Sequence, residues 1–180
     1  MCGGRGTRLD APVEKPLFAV GGEPMVDRVA RALSASRVDA VHAVVSPHVP
    51  ATRDHLDLPT IETPGEGYVA DLEAALVAVE RPVLTVAADL PLLDGDVIDR
   101  VLDGFAGQSD GSLAVCVPAA LKRRLGIGVD TSWRLDGRSV APAGLNVVGD
   151  GADRPYLSYD ARLAVTVNRL EDASVAEALL

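Results

Sequence analysis

The hydrophobic residues of this chain occur in short apolar runs that alternate with stretches of helical periodicity. Apolar runs bounded by turn-forming residues predict strands over residues 40–45, 60–63, 83–88, 113–117, 140–148 and 163–167. Apolar positions three and four residues apart predict helices over residues 26–33, 68–79, 94–102 and 173–180. Residues 122–137 are polar and irregular, and we interpret them as an insertion over a binding site.

Strands that alternate with helices predict an α/β fold of the Rossmann type. Such a fold has a mostly parallel central sheet with helices on both faces. We expect residues 1–180 to form a single domain, because the chain has the length of one domain and shows no linker, repeat or low-complexity tract. Ligands bind to sheets of this kind beyond the carboxyl ends of the strands, so the chemistry is expected there.

Polar residues follow several of the predicted strands. Asp89 follows the clearest one, and a carboxylate is a suitable ligand for Mg²⁺, which prefers oxygen donors. Asn168 follows the last predicted strand and could supply an amide oxygen to the same ion. Structural alternatives stay open for both residues: Asp89 as a helix cap or turn residue before Pro91, and Asn168 as an Asx turn before the last helix. Further strand-end candidates are residues 46–48, 64–67 and 144–146.

The opening stretch MCGGRGTRLDAPVEKPL combines glycines with basic residues. Glycines let backbone N–H groups approach an anion closely, since no Cβ blocks the way. Lys15 is one of only two lysines in the chain, the other being Lys122, and an ammonium group suits a phosphate oxygen as a point charge. These residues predict a phosphate-binding loop; the alternative is a frayed terminus with incidental charge.

Composition and charge narrow the class of protein. The net charge of −9 argues against nucleic-acid or anionic-membrane binding, and no apolar run approaches the length of a membrane span. The two cysteines lack metal-ligand spacing and no secretion signal is recognisable, so we expect a cytoplasmic protein. Aspartate outnumbers glutamate and lysine is rare, which is typical of halophilic archaea; a GC-rich genome is the alternative explanation.

Two motifs carry a resemblance to a known family. The stretch GGRGTRLDAPVEKPL resembles the signature loop of nucleotidyltransferases, and VAADLPLL resembles their metal-bearing strand end. Within this MobA-like superfamily, TPGEGYVADLEAAL and APAGLNVVG are similar to the archaeal-type adenosylcobinamide-phosphate guanylyltransferases. The resemblance runs from Gly3 to the C-terminus and implies a nucleotidyltransferase fold.

The resemblance implies a role for each matching residue. It places the nucleotide phosphates on Gly3, Gly4, Gly6, Thr7, Arg8 and Lys15, and the base near Thr63, Gly65, Gly67 and Tyr68. It makes Arg8, Lys15 and Asp89 catalytic, assigns Mg²⁺ to Asp89 and Asn168, and puts the acceptor beside Gly144 and Asn146. The segment 122–137 matches no motif of the family.

The implied reaction transfers GMP from GTP to adenosylcobinamide phosphate and releases pyrophosphate, on the route to adenosylcobalamin. Two other readings stay open: guanylylation or nucleotidylation of another acceptor, such as the molybdenum cofactor or a sugar phosphate, and a non-catalytic nucleotide-binding regulatory subunit. The preference for guanine comes from the resemblance alone. A homodimer is compatible with the family, and the oligomeric state stays open.

The phosphate loop begins almost at the first residue. In doubly wound nucleotide folds this loop follows a strand that lies inside the sheet. Here only Met1 and Cys2 precede the glycines, so the first strand looks truncated. We therefore expect Met1 to be an internal methionine of a longer natural chain, with about 5–6 strand residues ahead of it.

Overall fold

The computed structural model describes residues 1–106 and 111–180, in which strands and helices alternate along the chain. A short 3₁₀ helix, Lys15–Leu17, precedes β1 (Ala19–Val20), β2 (Glu23–Pro24), α1 (Met25–Ser34), β3 (Ala43–Val45), α2 (Pro50–His55), β4 (Thr60–Glu62), α3 (Tyr68–Leu76) and β5 (Val83–Val86). Then follow α4 (Gly95–Phe105), β6 (Ser112–Pro118), α5 (Ala119–Arg124), β7 (Trp133–Leu135), β8 (Arg138–Val148), β9 (Asp153–Leu157), α6 (Ala161–Ala164) and α7 (Leu170–Ala178). The α/β class predicted from the sequence is confirmed.

The described strands form three sheets, of which the largest is mixed, where the sequence predicted one mostly parallel sheet; the smallest elements, β1 and β2, pair with each other. Strands β3 and β4 pair in parallel, and the order β5-β8-β6-β9 makes up the larger sheet, with β7 on β8. Strand β8 runs antiparallel to β5, β6 and β7, whereas β6 and β9 are parallel. The reversal comes from a two-residue turn at Asp136 and Gly137, both with positive φ, which joins β7 to β8 as a hairpin.

The first two residues link β3 to β5. The Met1 amino group donates to Val86 O at 2.7 Å, and the Ala88 N–H donates to Met1 O at 3.2 Å. The Cys2 N–H donates to Val44 O at 2.8 Å. Beside these two residues, an apolar groove of about 680 Å³ lies between the facing edges of β3 and β5. Met1 and Cys2 thus occupy the place of a strand that runs parallel to β5.

One predicted strand is wrong. Residues 163–167 contain the end of helix α6, followed by an extended segment that belongs to no strand. The Asp160 side chain caps α6 by accepting the Arg162 N–H at 3.0 Å. A short buried apolar run cannot be assigned to helix or strand by periodicity alone, and here the cap decides for helix. The prediction also missed β1, β2, α2, α5, β7 and β9.

The largest apolar cluster lies between α4 and the central strands. It contains Ile98 and Val101 of α4, Val115 of β6 and Leu145 of β8, all nearly inaccessible to solvent. This packing holds the carboxyl end of β5 in place, because Leu90 just beyond it belongs to the same cluster. Among the described residues, no helix is both long enough and apolar enough to cross a bilayer.

Candidate functional site

A cleft of about 570 Å³ opens at the carboxyl ends of β3, β4 and β5. It brings together most of the site residues predicted from the sequence: Gly3, Gly4, Arg8, Lys15, Gly65, Gly67, Tyr68, Asp89 and Asn168. The residues Gly6, Thr7, Thr63, Gly144 and Asn146 are not among those that line it. The cleft is also lined by His48, from the strand-end candidate 46–48, and by Asp71, which the sequence analysis did not single out.

Lys15 stands at the centre of the first polar cluster in the cleft. Its Nζ donates to Asp89 Oδ2 at 2.5 Å and to Asn168 Oδ1 at 2.9 Å. Arg8 donates to the same Asn168 oxygen at 3.0 Å. The side chains of Lys15 and Asp89 are only 17% and 18% exposed, so solvent screens this ion pair weakly.

Local structure fixes the backbone positions of Lys15, Asp89 and Asn168. Lys15 begins the 3₁₀ helix, and Asp89 follows β5. The Asp89 carbonyl accepts the Val167 N–H at 3.0 Å, which ties the segment before Asn168 to the end of β5. The Asn168 N–H in turn donates to Asp172 Oδ2 at 2.9 Å, in the first turn of α7. The end of β5 and the segment before α7, which are far apart in the sequence, thereby bring Asp89 and Asn168 together.

Asp130 extends this cluster to the mouth of the cleft. It pairs with Arg8 through one carboxylate oxygen and with Arg169 through the other, at 2.7 Å. The hydrogen bond from Arg169 is the main reason why the pKa of Asp130 is lowered. Asp130 lies in the segment 122–137, so that segment does reach the site. No sequence signal points to Asp130, because 122 residues separate it from Arg8.

Gly6 allows the loop to close on Lys15. Its φ is +62°, and a Cβ at this position would lie 2.6 Å from Lys15 Cβ. The glycine therefore serves the close approach of the loop to the lysine rather than contact with the cleft. Gly4 differs, because a Cβ there would meet nothing within 4 Å.

A second polar cluster joins the glycine loop to the turn after β4. Ser46 Oγ donates to Gly3 O at 2.7 Å, and His48 Nε2 donates to Gly65 O at 3.0 Å. The Gly65 N–H donates to Asp71 Oδ1 at 2.7 Å. The sequence held one weak sign of Asp71: it lies four residues before Ala75, beside the apolar face of the predicted helix.

The remaining predicted residues occupy structural positions. Thr63 is buried, and its Oγ1 donates to Val45 O at 3.0 Å. Gly144 has a φ of +78° and accepts the Ala87 N–H at 2.7 Å. Asn146 Oδ1 accepts the Val115 N–H at 3.1 Å, where the register of β6 and β8 shifts. Their assignment to base and acceptor stays a prediction.

The oxygens of Asp89 and Asn168 form a donor set that fits Mg²⁺. Both are hard oxygen ligands, and a cationic group, the Lys15 ammonium, already bridges them. Within residues 1–106 and 111–180, no group of three or more His, Cys, Asp or Glu side chains could hold a metal. A sparse set of this kind suits an ion that takes its other ligands from water and substrate phosphates.

Lys122, the second lysine, lies in the protein behind this cluster. It is 4% exposed and donates to Thr166 Oγ1 at 2.9 Å. Burial lowers its pKa, and the nearby carboxylates of Asp89, Asp172 and Asp130 oppose that shift. Both lysines of the chain thus contribute charge close to Asp89.

Known proteins share both sequence and fold with this chain. Residues 1–179 match the family model described as the MobA-like NTP transferase domain. The chain is 30% identical over 195 residues to the adenosylcobinamide-phosphate guanylyltransferase of Methanocaldococcus jannaschii, covering 100% of this chain and 95% of that protein.

Two solved structures show the same fold. A hypothetical transferase from Thermus thermophilus aligns with a TM-score of 0.59 at 25% identity, over 83% of this chain and 63% of that one. A Bacillus anthracis protein described as a glucose-1-phosphate thymidylyltransferase aligns with a TM-score of 0.71 over 99% of this chain and 92% of that one. Its sequence identity is 13%, so the second likeness concerns the fold alone.

Proposed function

Because this chain belongs to the MobA-like NTP transferase family, we propose that it transfers GMP from GTP to adenosylcobinamide phosphate. The chain is a nucleotidyltransferase, and its relative of matching length supports a role in cobamide biosynthesis. The observation that carries the proposal is the bridge from Lys15 to Asp89 and Asn168 beneath the glycine loop. This arrangement offers one cation and two oxygens suited to a metal ion in a nucleotide-sized cleft.

The reaction needs positioning and charge more than covalent help. An oxygen of the acceptor phosphate attacks the α-phosphorus of GTP, the bond from that phosphorus to the β-phosphate bridge breaks, and pyrophosphate leaves. The acceptor is already an anion at neutral pH, so no general base is required. Lys15 and Arg8 offset the repulsion between the anions and hold the triphosphate in line.

The residues Asp89 and Asn168 would hold Mg²⁺ through their side-chain oxygens. A bound Mg²⁺ supplies positive charge that stabilises the phosphate oxygens as negative charge develops on them. Lys15 donates to the same two oxygens, so its ammonium group would lie beside the ion and face the phosphates together with it. The chain's own part is to hold the Lys15 ammonium group against Asp89 and Asn168 and to anchor Asn168 through Asp172.

The test measures the mass of the acceptor after incubation with purified protein, Mg²⁺ and GTP. We expect adenosylcobinamide phosphate to gain the mass of GMP less water, with one pyrophosphate released per transfer. Molybdopterin and sugar-1-phosphates serve as competing acceptors. A gain on one of these alone would replace the proposed acceptor, and no pyrophosphate with any acceptor would favour a regulatory subunit.

Replacing Lys15 tests its role in the reaction. Lys15→Ala is expected to lower kcat by on the order of 10²–10³, because a preorganised charge at the reacting phosphates is lost. The measurement is kcat together with the thermal midpoint. Arg53→Ala, which removes an exposed ion pair with Glu62 outside the cleft, is the matched control. Near-normal kcat in Lys15→Ala would remove Lys15 from the mechanism.

A further inference from the structure

The cleft has two chemically different ends. One end carries Arg8 and Lys15, whose charges suit a chain of phosphates. The other end carries Asp71 beside His48 and the glycine turn that contains Gly65. A carboxylate repels phosphate, so this second end suits the uncharged part of a nucleotide, which is its base.

Asp71 is a charged residue that is almost fully buried at the wall of the cleft. It lies in α3, with 4% of its surface exposed. Its Oδ1 accepts the Gly65 N–H, but no donor within residues 1–106 or 111–180 reaches its Oδ2. Every fully buried side-chain polar atom in those residues has a partner, so Oδ2 must be accessible from the cleft.

This geometry leaves one oxygen of a largely buried carboxylate without a donor from the described residues. When a ligand displaces water from the cleft, such an oxygen costs free energy unless the ligand supplies a hydrogen bond to it. The Gly65 N–H holds Oδ1, and Oδ2 lies close to the glycine loop, 3.4 Å from where a Cβ on Gly3 would be. Ser46 anchors Gly3 in turn.

We propose that Asp71 selects the base of the nucleotide by accepting hydrogen bonds from two adjacent N–H donors, as guanine presents them. Guanine carries its N1–H and its 2-amino group side by side on one edge. Adenine and cytosine place a ring-nitrogen acceptor beside their amino group, and that lone pair would face the carboxylate. Uracil has one N–H between two carbonyl oxygens. The proposal rests on the proposed nucleotidyl transfer and names the residue that determines its base.

The first test measures equilibrium binding of nucleotides to the wild-type protein without any acceptor. We expect GTP to bind on the order of 10- to 100-fold more tightly than ITP, which lacks the 2-amino group, since hydrogen bonds to charged groups are strong. ATP should bind more weakly than ITP. Equal affinities for GTP and ITP would overturn the proposal without recourse to any variant.

The second test uses Asp71→Asn. Asparagine can keep an oxygen on the Gly65 N–H while it turns an N–H₂ donor toward the cleft. We expect GTP affinity to fall on the order of 10- to 100-fold, the GTP-to-ITP ratio to approach one, and XTP to gain relative to GTP. Xanthine gains because it carries a carbonyl oxygen where guanine has the amino group. Glu73→Gln, an exposed carboxylate on the same helix, should change none of these values.

The outcomes separate a base-selecting residue from a structural one. If Asp71→Asn weakens GTP, ITP and XTP by the same factor, Asp71 only holds the glycine turn and the proposal is overturned. Circular dichroism checks that the variant folds. If it does not fold, the affinities of the wild-type protein for GTP, ITP and ATP alone test the proposal. GTP selectivity without transfer to any acceptor would overturn the proposed function and leave the role of Asp71 standing.

Discussion

At the scale of single residues, the site depends on side chains whose positions are set by backbone approach. Gly6 shows this best, since its positive φ and the 2.6 Å distance to Lys15 Cβ leave no space for a side chain. The glycine loop, which is predicted to bind the phosphates, therefore also places the lysine. Lys15 keeps its direction because Asp89 and Asn168 hold its ammonium group.

Gly6→Ala is expected to lower both stability and activity. The left-handed conformation costs a non-glycine residue about 1–3 kcal/mol, and the new methyl group pushes Lys15 away from Asp89. We expect a lower free energy of unfolding and a lower kcat at saturating GTP. Urea unfolding and steady-state kinetics measure the two effects. Gly4→Ala is the control for stability, because its Cβ would meet nothing within 4 Å; equal stabilities of the two variants would refute the steric argument.

At the scale of elements, the sheet architecture is interrupted between the β3–β4 pair and the larger sheet, since no described strand of one pairs with a strand of the other. Strands β3 and β5 face each other across an apolar groove, and Met1 and Cys2 bridge them at one end only. Val29, Leu76 and Leu84 line that groove. Strand edges with apolar surroundings accept a further strand readily, since pairing satisfies their backbone groups.

A strand placed ahead of Met1 is therefore expected to stabilise the protein. We predict that adding about 5–6 apolar, β-branched residues before Met1 raises the thermal midpoint and slows hydrogen exchange of the β3 and β5 amides. An extension of equal length made of glycine and serine is the control, because it cannot fill an apolar groove. Identical midpoints for the two extensions would show that the groove does not take a strand.

At the scale of the whole molecule, the surface is acidic but organised into arginine–aspartate networks. Arg162 pairs with Asp96 and Asp160, and Arg100 pairs with the same two carboxylates. Hydrogen bonds from Arg162 and Arg100 lower the pKa of Asp96 to about 2, and the hydrogen bond from Arg162 lowers the pKa of Asp160. These pairs join the start of α4 to α6.

The lowered pKa values predict how stability depends on pH. A carboxyl whose pKa is lower in the folded state contributes stability that is complete above its unfolded value, about 3.9 for Asp, and is lost as pH falls through the folded value. We expect stability to fall between about pH 4 and pH 2 as Asp96 and Asp160 take up protons. Urea unfolding of wild type and Asp96→Asn across this range tests it.

The Asp96→Asn variant should lose less stability on acidification than the wild type. Asp54→Asn, an exposed carboxylate of α2, is the control and should follow the wild type. If the free energy of unfolding falls equally with pH in the wild type and in Asp96→Asn, the network does not contribute to the acid dependence of stability.

The net charge of −9 predicts a separate dependence on salt. Unscreened repulsion opposes the compact state, so we expect the thermal midpoint and the activity to rise from dilute buffer to molar KCl. Screening also weakens the arginine pairs, which works in the opposite direction. If the thermal midpoint does not change or falls as the KCl concentration rises, a GC-rich genome remains as the explanation of the acidic, lysine-poor sequence.

Much of the fold and part of the site could be predicted from the sequence. The helix expected over residues 26–33 is α1, and the strand expected over residues 83–88 contains β5. Asp89 and the glycine loop were recognised because motifs with fixed spacing carry them. The antiparallel direction of β8 relative to its neighbours was not predicted. The Asp136-Gly137 pair, which reverses the chain between β7 and β8, is nevertheless a known hairpin sequence.

The sequence by itself determined the α/β class, the glycine loop and the selection of Lys15 and Asp89 as site candidates, because local periodicity, turn residues and short motifs record these features. Only the tertiary structure decided which distant groups meet. It brought Asp130 to Arg8 and Asp71 to Gly3, and it turned Asn146 toward the β6 backbone. The physical reason is that such contacts depend on strand order and register, which arise when the whole chain packs and leave no regular spacing in the sequence.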